Sequence, residues 1–511
     1  MRTPTTSRVF SAELEGVDAR LVEVEVDINV GISSFTIVGL ADKAVSEARE
    51  RVSSALKNSH IKPPTRQNRR VTVNLAPADV KKNGSHYDVA IALGYLIASG
   101  QIGECDISSA LFVGELALDG TVRPIPGVVN ICQIARAKGF ARIFVPRQNI
   151  AEAALTEGLE VYGINTLHAL IAHLEKKSPI ARSPHTPFVP SVKRGSVDMA
   201  DIKGQFAAKR AMIIAAAGGH NVFMTGSPGA GKTMLAQAMV SILPDMSFEE
   251  ASEVTRIWSA AGMLEERGYV GARPFRAPHH SASLVSVVGG GQNPRPGEIS
   301  LAHRGVLFLD EIPEFPRNVL EALRQPLEDG RVVVARAKRT LVFPSRVMLV
   351  AASNPCPCGF FQDPTRECTC SAHEIARYQK KLSGPLLDRI DIQLWVEPVT
   401  SKDFDIAHQD NSEKIRARIN RARERQEARF AEHHIAVHNN AELSSKQSEQ
   451  TVAITAPARA MLEKALDKGL LSARGFFKTF NVAQTIADLE ESDVVGTDAV
   501  AEALSYRLRH E

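Results

Sequence analysis

Apolar and polar positions alternate along LVEVEVDI (residues 21–28), RVTVNL (70–75) and RIFVP (142–146), the period-two pattern of strands that bury one face. Between them, apolar residues recur at helical spacing in KAVSEARERVSSAL and VVNICQIARAKG. This part of the chain predicts an α/β domain. The pattern breaks at SPIARSPHTPFVPSVKRGS (178–196), where four prolines and no periodicity predict an extended linker. Beyond it, the apolar segment NVFMT (221–225) and the runs inside GVLFLDE (305–311) and RVMLVAASNP (346–355) predict strands. After IDIQLWVEPV, near Val399, a charged, helix-favouring stretch runs to the C-terminus. The predicted division is a domain over 1–177, a linker over 178–197, a core over 198–400 and a helical domain over 401–511.

Composition narrows the class. A chain of 511 residues holds about three domains at roughly 150 residues each, and 44% apolar content suffices for a core in each. A disordered, collagen-like or disulfide-stapled protein is excluded. The net charge of +3 is too small for a generally basic chain, so any surface for nucleic acid must be local. No run of 18 apolar residues occurs and the first residues carry no apolar signal core, so no membrane span is expected and the expected location is cytoplasmic. Four of the six cysteines, Cys356, Cys358, Cys368 and Cys370, crowd into fifteen residues. In a reducing compartment that clustering suggests a metal rather than disulfides.

The strongest chemical signal is GSPGAGKT: Gly226, Ser227, Pro228, Gly229, Ala230, Gly231, Lys232 and Thr233. It follows a strand and opens a helix, the order a phosphate-binding loop needs. Backbone N–H groups and the positive end of the helix cradle phosphate oxygens, Lys232 reaches the terminal phosphates of ATP, and the Thr233 hydroxyl can ligate Mg²⁺. The strand in GVLFLDE ends in two carboxylates, Asp310 to hold Mg²⁺ through water and Glu311 to orient the attacking water as base. Asn354 ends a third strand, placed to hydrogen-bond the γ-phosphate or that water. Arg389 in SGPLLDRIDI and Arg474 in LLSARGFF are candidates to stabilise developing charge.

These motifs, together with FTIVGLADKAVSEARERV, VNLAPADVKKNGSHYDVAIALG, FRAPHHSASLVSVVGGGQNPRPGEISLAHRGVLFLDEIPEFPRNVLEALRQPLEDG and AASNPCPCGF, resemble the Mg-chelatase-like AAA+ ATPases of the ComM/YifB type over nearly the whole chain. These are bacterial relatives of magnesium chelatase and of the MCM helicases. The resemblance implies an N-terminal domain with the Lon-protease fold (ribosomal S5 domain 2-like), an AAA+ domain of the helix-2-insert branch and a helical lid. It makes residues 226–233 Walker A, Asp310 and Glu311 Walker B, Asn354 sensor 1, Arg389 an arginine finger acting on a neighbour and Arg474 sensor 2. Gln484 stands where the family usually has arginine, so no second lid arginine is assigned.

A finger acting on a neighbour implies a homo-hexameric ring with ATP between subunits and a pore. The family implies a DNA helicase promoting branch migration in recombination during natural transformation, on single-stranded or branched DNA and alongside recombination proteins. Two segments could face such a pore: the glycine- and proline-rich stretch between Walker A and Walker B, and GRVVVARAKRTLVFPS (330–345), which reads as a hairpin with Arg336, Lys338 and Arg339 at its tip. Lys62, Arg66, Arg69 and Arg70 form a local basic stripe in the N-terminal domain. Its Lon-type dyad is missing, because the nucleophile position falls at His86, with Ser85 one place early, and the lysine falls near Arg123. The four cysteines suit tetrahedral Zn²⁺, although C-x-C is tighter than the usual spacing, and four free thiols remain the alternative. The competing functions are a chelatase-type chaperone acting on a protein partner and an active Lon-like protease.

Overall fold

The computed structural model describes residues 6–39, 42–64, 68–79, 82–103, 105–189, 197–291, 294–336, 339–382, 384–401 and 410–507. They pack as two units, one of residues 1–189 with 248–270 and 337–342, the other of 190–247, 271–336 and 343–511.

The first unit is built on a seven-stranded mixed sheet. Its strands are β1 (Thr6–Glu15), β2 (Asp18–Val30), β3 (Ser34–Val38), β4 (Arg69–Ala76), β5 (Ala110–Phe112), β6 (Arg142–Pro146) and β7 (Glu160–Ile164), in the order β3-β4-β2-β1-β5-β6-β7. β2 alternates as its sequence requires, with Val22, Val24, Val26 and Ile28 buried. The stripe of cations divides here: Arg69 and Arg70 are neighbours on β4 and point to opposite faces, Lys62 is exposed, and Arg66 lies outside the described residues. Helices α1 (Lys43–Asn58), α2 (Asp88–Ala98), α3 (Val128–Ala137) and α4 (Leu167–Leu174) contribute the rest of the core.

One helix of this unit comes from far along the chain. Helix Phe248–Ala261, which in sequence follows Walker A, packs beside α3. The Ser259 carbonyl accepts from Gly127 N–H at 2.8 Å, the Ser259 hydroxyl donates to buried Glu152 at 2.8 Å, and Arg256 donates to Asp18 at 2.8 Å.

In the second unit the sheet is wholly parallel, as expected of strands buried on both faces. After helix α5 (Phe206–Gly218) come β8 (Val222–Thr225), helix α6 (Lys232–Ile242), β9 (Phe275–Arg276), β10 (Val306–Leu309), helix α7 (Arg324–Asp329), β11 (Arg331–Arg336), β12 (Arg339–Pro344, of which residues 339–342 group with the first unit), β13 (Met348–Ser353) and β14 (Ile392–Trp395). The sheet order is β9-β10-β13-β8-β14, which sets β8 and β13 side by side in the middle, with Thr225 opposite Ser353. Ligands of such sheets bind beyond the carboxyl ends of the strands, and the 226–233 loop, the Asp310–Glu311 pair and Asn354 all leave from those ends. Helices α8 (Ser412–Glu432), α9 (Ala456–Asp467), α10 (Ala473–Leu489) and α11 (Thr497–Ser505) form the C-terminal helical domain and share one hydrophobic core with the sheet.

The stretch between Walker A and Walker B is more ordered than its glycines and prolines suggest. It holds a short helix, Leu284–Val288, followed by a two-stranded ribbon in which Gly289 pairs with Pro296 and Gly290 with Arg295. β11 and β12 pair as the expected hairpin, β11 ending at Arg336 and β12 starting at Arg339. Lys338 lies outside the described residues.

Candidate active site

The loop after β8 runs tight against the residue that follows β14: a Cβ on Gly226 would lie 2.4 Å from the Val396 carbonyl oxygen, so only glycine fits. The loop ends in α6, whose first residue is Lys232. The Lys232 ammonium is buried and donates to the Gly226 carbonyl at 2.5 Å, the Ser227 carbonyl at 3.0 Å and Asn354 Oδ1 at 3.1 Å. Burial lowers its pKa, while Asp310 and Glu311 oppose the shift and favour the charged form. Lysine and Asn354 therefore sit on one locus, and a phosphate entering the loop would replace backbone carbonyls as the ammonium's partner.

Thr233, in the first turn of α6, meets Asp310 at the end of β10. Thr233 Oγ1 donates to Asp310 Oδ2 at 2.8 Å, bringing together the hydroxyl and carboxylate that a Mg²⁺–nucleotide complex requires. Glu311 follows with φ +48°, a left-handed conformation that costs a non-glycine residue of order 1 kcal/mol or more. Its N–H donates to Asp310 Oδ1 at 2.9 Å, and its side chain stands half exposed, 3.9 Å from His280 Nδ1. Such a bend separates the two carboxylates, one turned to Thr233 and the other to solvent, the division that metal binding and water activation call for.

Both candidate arginines turn to one carboxylate. Arg389 donates to the Pro385 carbonyl at 2.7 Å and to Glu328, and Arg474 donates to the other oxygen of Glu328. Among the described residues neither guanidinium bonds to a residue of 226–233. Glu328, on α7, was not singled out in the sequence; an acidic residue near a helix end carries no local signal of this kind. Gln484 is buried in α10, where its amide donates to Asp488 at 2.8 Å, and Arg429 clasps the same Asp488 at 2.8 and 2.9 Å. The position serves the helical domain's interior.

The four cysteines converge. Their sulfur atoms all lie within 4.8 Å of one another, with Cys356···Cys358 at 3.3 Å, Cys356···Cys368 at 3.7 Å and Cys358···Cys368 at 3.6 Å. A Zn–S bond of about 2.3 Å gives tetrahedral S···S edges of about 3.8 Å. Backbone N–H groups point at the sulfurs, among them Phe361 to Cys356 at 3.3 Å and Cys358 to Cys370 at 3.4 Å, as befits ligands that must carry negative charge.

In the first unit, Ser85 donates to Glu115, Arg123 lies 3.5 Å from the same carboxylate, and His86 Nε2 lies 3.4 Å from Glu13. The cation gathered near Ser85 is thus an arginine, which cannot take a proton as base.

Three family models tile the chain: "Magnesium chelatase, subunit ChlI" over residues 198–404, "Subunit ChlI of Mg-chelatase" over 24–149 and "Magnesium chelatase, subunit ChlI C-terminal" over 409–507. Competence protein ComM of Haemophilus influenzae is 42% identical over 504 residues, 98% of this chain and 97% of its own. Protein YifB of Escherichia coli is 40% identical over 494 residues, 96% of this chain and 95% of its own. Likeness to Lon protease 1 of Sorangium cellulosum is partial, 28% identity over 30% of this chain and 20% of that protein. With a parallel-sheet P-loop core, a helical C-terminal domain and relatives matched almost end to end, the chain belongs to the Mg-chelatase-like AAA+ family that includes ComM and YifB.

Proposed function

We propose that the protein is an ATP-dependent DNA translocase that works as a homo-hexameric ring and promotes branch migration in homologous recombination, in the setting of natural transformation. The observation that carries the ATPase half is the convergence of Lys232, Thr233, Asp310 and Asn354 at the ends of β8, β10 and β13. Mg²⁺ would be held by Thr233 and, through water, by Asp310, neutralising phosphate charge. Glu311 takes a proton from the attacking water, and Asn354 orients either that water or the γ-phosphate.

The ring follows from the arginines. Arg389 bonds to Pro385 and Glu328 and, among the described residues, to none of 226–233, as suits a finger that completes a neighbour's site, while Arg474, on the same Glu328, is read as sensor 2. Such head-to-tail contacts close into rings. The DNA half rests on the competence name of a relative matched over 98% of this chain and on the β11–β12 hairpin, whose cations Arg336, Lys338 and Arg339 would grip phosphates without reading bases. Single-stranded or branched DNA, recombination proteins as partners and a cytoplasmic location belong to this reading, as do residues 1–177, 198–400 and 401–511 as its working domains. Zn²⁺ on Cys356, Cys358, Cys368 and Cys370 is part of it too, supported by the sulfur spacing.

A second reading, a chelatase-type chaperone remodelling a protein, is favoured by the ChlI family descriptions. DNA-stimulated ATP hydrolysis separates the two. Changing Lys338 and Arg339 together to Ala should abolish the stimulation while sparing nucleotide binding and ring assembly. Each lost phosphate contact should reduce the log–log salt slope of DNA affinity by roughly 0.7–0.9. An unchanged DNA response removes the hairpin from the mechanism, and a parent protein with no DNA binding favours the chaperone.

A further inference from the structure

The four-cysteine loop touches the phosphate-binding loop. It starts two residues after Asn354, and its Gly359 lies so close to Pro228 that a Cβ there would sit 2.5 Å from Pro228 Cγ and 2.6 Å from Cδ. Gly359 has φ +86°, so both its backbone and its surroundings demand glycine. Further along the loop, Asp363 faces buried Ser227. The Ser227 side chain, then the Thr365 hydroxyl and N–H, hold the Asp363 carboxyl down at about 2. At its start, the Pro355 carbonyl accepts from Gln379 at 3.2 Å. Residues 354–363 thus carry Asn354 and a cysteine pair, and abut Ser227 and Pro228.

Four thiolates at these separations repel one another unless a cation lies between them, so the shape of the loop depends on what the sulfurs hold. With Zn²⁺ bound, the sulfurs fix the turn that carries Gly359 and Asp363, and through them one wall of the phosphate loop. Without it, the turn loses its centre, and Pro228, Ser227 and Asn354 lose their support together.

We propose that the four-cysteine loop is a metal-dependent brace of the nucleotide site, so that Zn²⁺ occupancy and nucleotide affinity are coupled. This rests on the zinc reading above. Because coupling between two ligands is reciprocal, bound nucleotide must tighten zinc by the same factor by which zinc tightens nucleotide. Couplings of this kind are commonly about 5- to 150-fold.

The full-length chain, purified without chelator, is assayed for zinc and then titrated with a fluorescent ATP analogue in excess Mg²⁺, with and without zinc. Near one zinc per chain and at least about fivefold weaker nucleotide binding after its removal are expected. If the stripped chain loses its fold, the holo protein supplies the second measurement, the affinity for zinc in competition with a chromogenic chelator, which should rise by the same factor when ATP analogue is bound. Gly359→Ala, which leaves every thiol in place, should retain zinc yet weaken nucleotide binding. A parent protein without zinc overturns both the zinc reading and the brace. A parent that holds zinc, but whose nucleotide and zinc affinities are independent, overturns the brace alone.

Discussion

Arg389→Ala tests whether each nucleotide site is completed by a neighbour's residue, as the proposed ring requires. In the folded chain Arg389 makes one backbone hydrogen bond, to Pro385, and shares Glu328, whose side chain is 43% exposed, with Arg474. An ion pair to so exposed a carboxylate contributes about 0.2–1 kcal/mol, and the hydrogen bond adds about 1 kcal/mol. Removing the side chain therefore costs about 1–2 kcal/mol of stability, a fall of several degrees in Tm. Loss of a transition-state arginine costs far more, about a thousandfold or greater in turnover, or some 4 kcal/mol. The variant should bind ATP, melt near the parent and scarcely hydrolyse. Mixed in equal amounts with Lys232→Ala and allowed to exchange subunits, it should regain activity. A working site needs an intact lysine from one subunit and an intact arginine from the next, so a random ring restores about a quarter of the sites. The assay is steady-state ATP hydrolysis against mixing ratio, with size measurement confirming assembly. A mixture no more active than its components, or an Arg389→Ala variant hydrolysing at the parental rate, would refute the assignment.

Two further outcomes are expected. Glu311→Gln should bind ATP as the parent does and turn over at least a hundredfold more slowly; a parental rate in a single-turnover assay would show that another group is the base. Glu152 is buried beside Ser259 and Asn149, and burial raises its pKa from 4.5 to about 7 against the pull of those hydrogen bonds. Its neutral form therefore favours the fold: the contribution is complete below about pH 4.5 and fades as pH rises through about 7, a loss of about 3 kcal/mol. Glu152→Gln should flatten the pH dependence of chemical denaturation across that window, and an unchanged slope would mean that the carboxyl is ionised throughout.

What could be read beforehand depended on whether a signal was local. β2 and β4 were legible because their alternation is unbroken, whereas β1, their neighbour, was not, because it buries Ser11 and Glu13 where the pattern calls for apolar residues. Lys232, Thr233, Asp310 and Asn354 were legible as a site because each stands at a strand end or a helix start, and parallel strands bring those ends to one edge. The sulfur cluster was legible from spacing alone. Glu328 was not, since its part depends on Arg389 and Arg474 arriving from 61 and 146 residues away. Nor was the contact of Gly359 with Pro228, which joins two loops that have no shared pattern.

The helix Phe248–Ala261 has a consequence for how this protein can be cut. Its contacts with Val17, Asp18, Gly127 and Glu152 tie it to the first unit, yet the chain enters and leaves it from the ATPase. A fragment ending at the linker would keep the seven-stranded sheet but expose the face of α3 that the helix covers, and would leave Glu152 without Ser259. The complementary fragment would carry this helix without the α3 face it packs against. Neither half is therefore a ready-made module for transplantation, and a soluble stand-in for the N-terminal domain would have to graft residues 248–270 back onto residues 1–189.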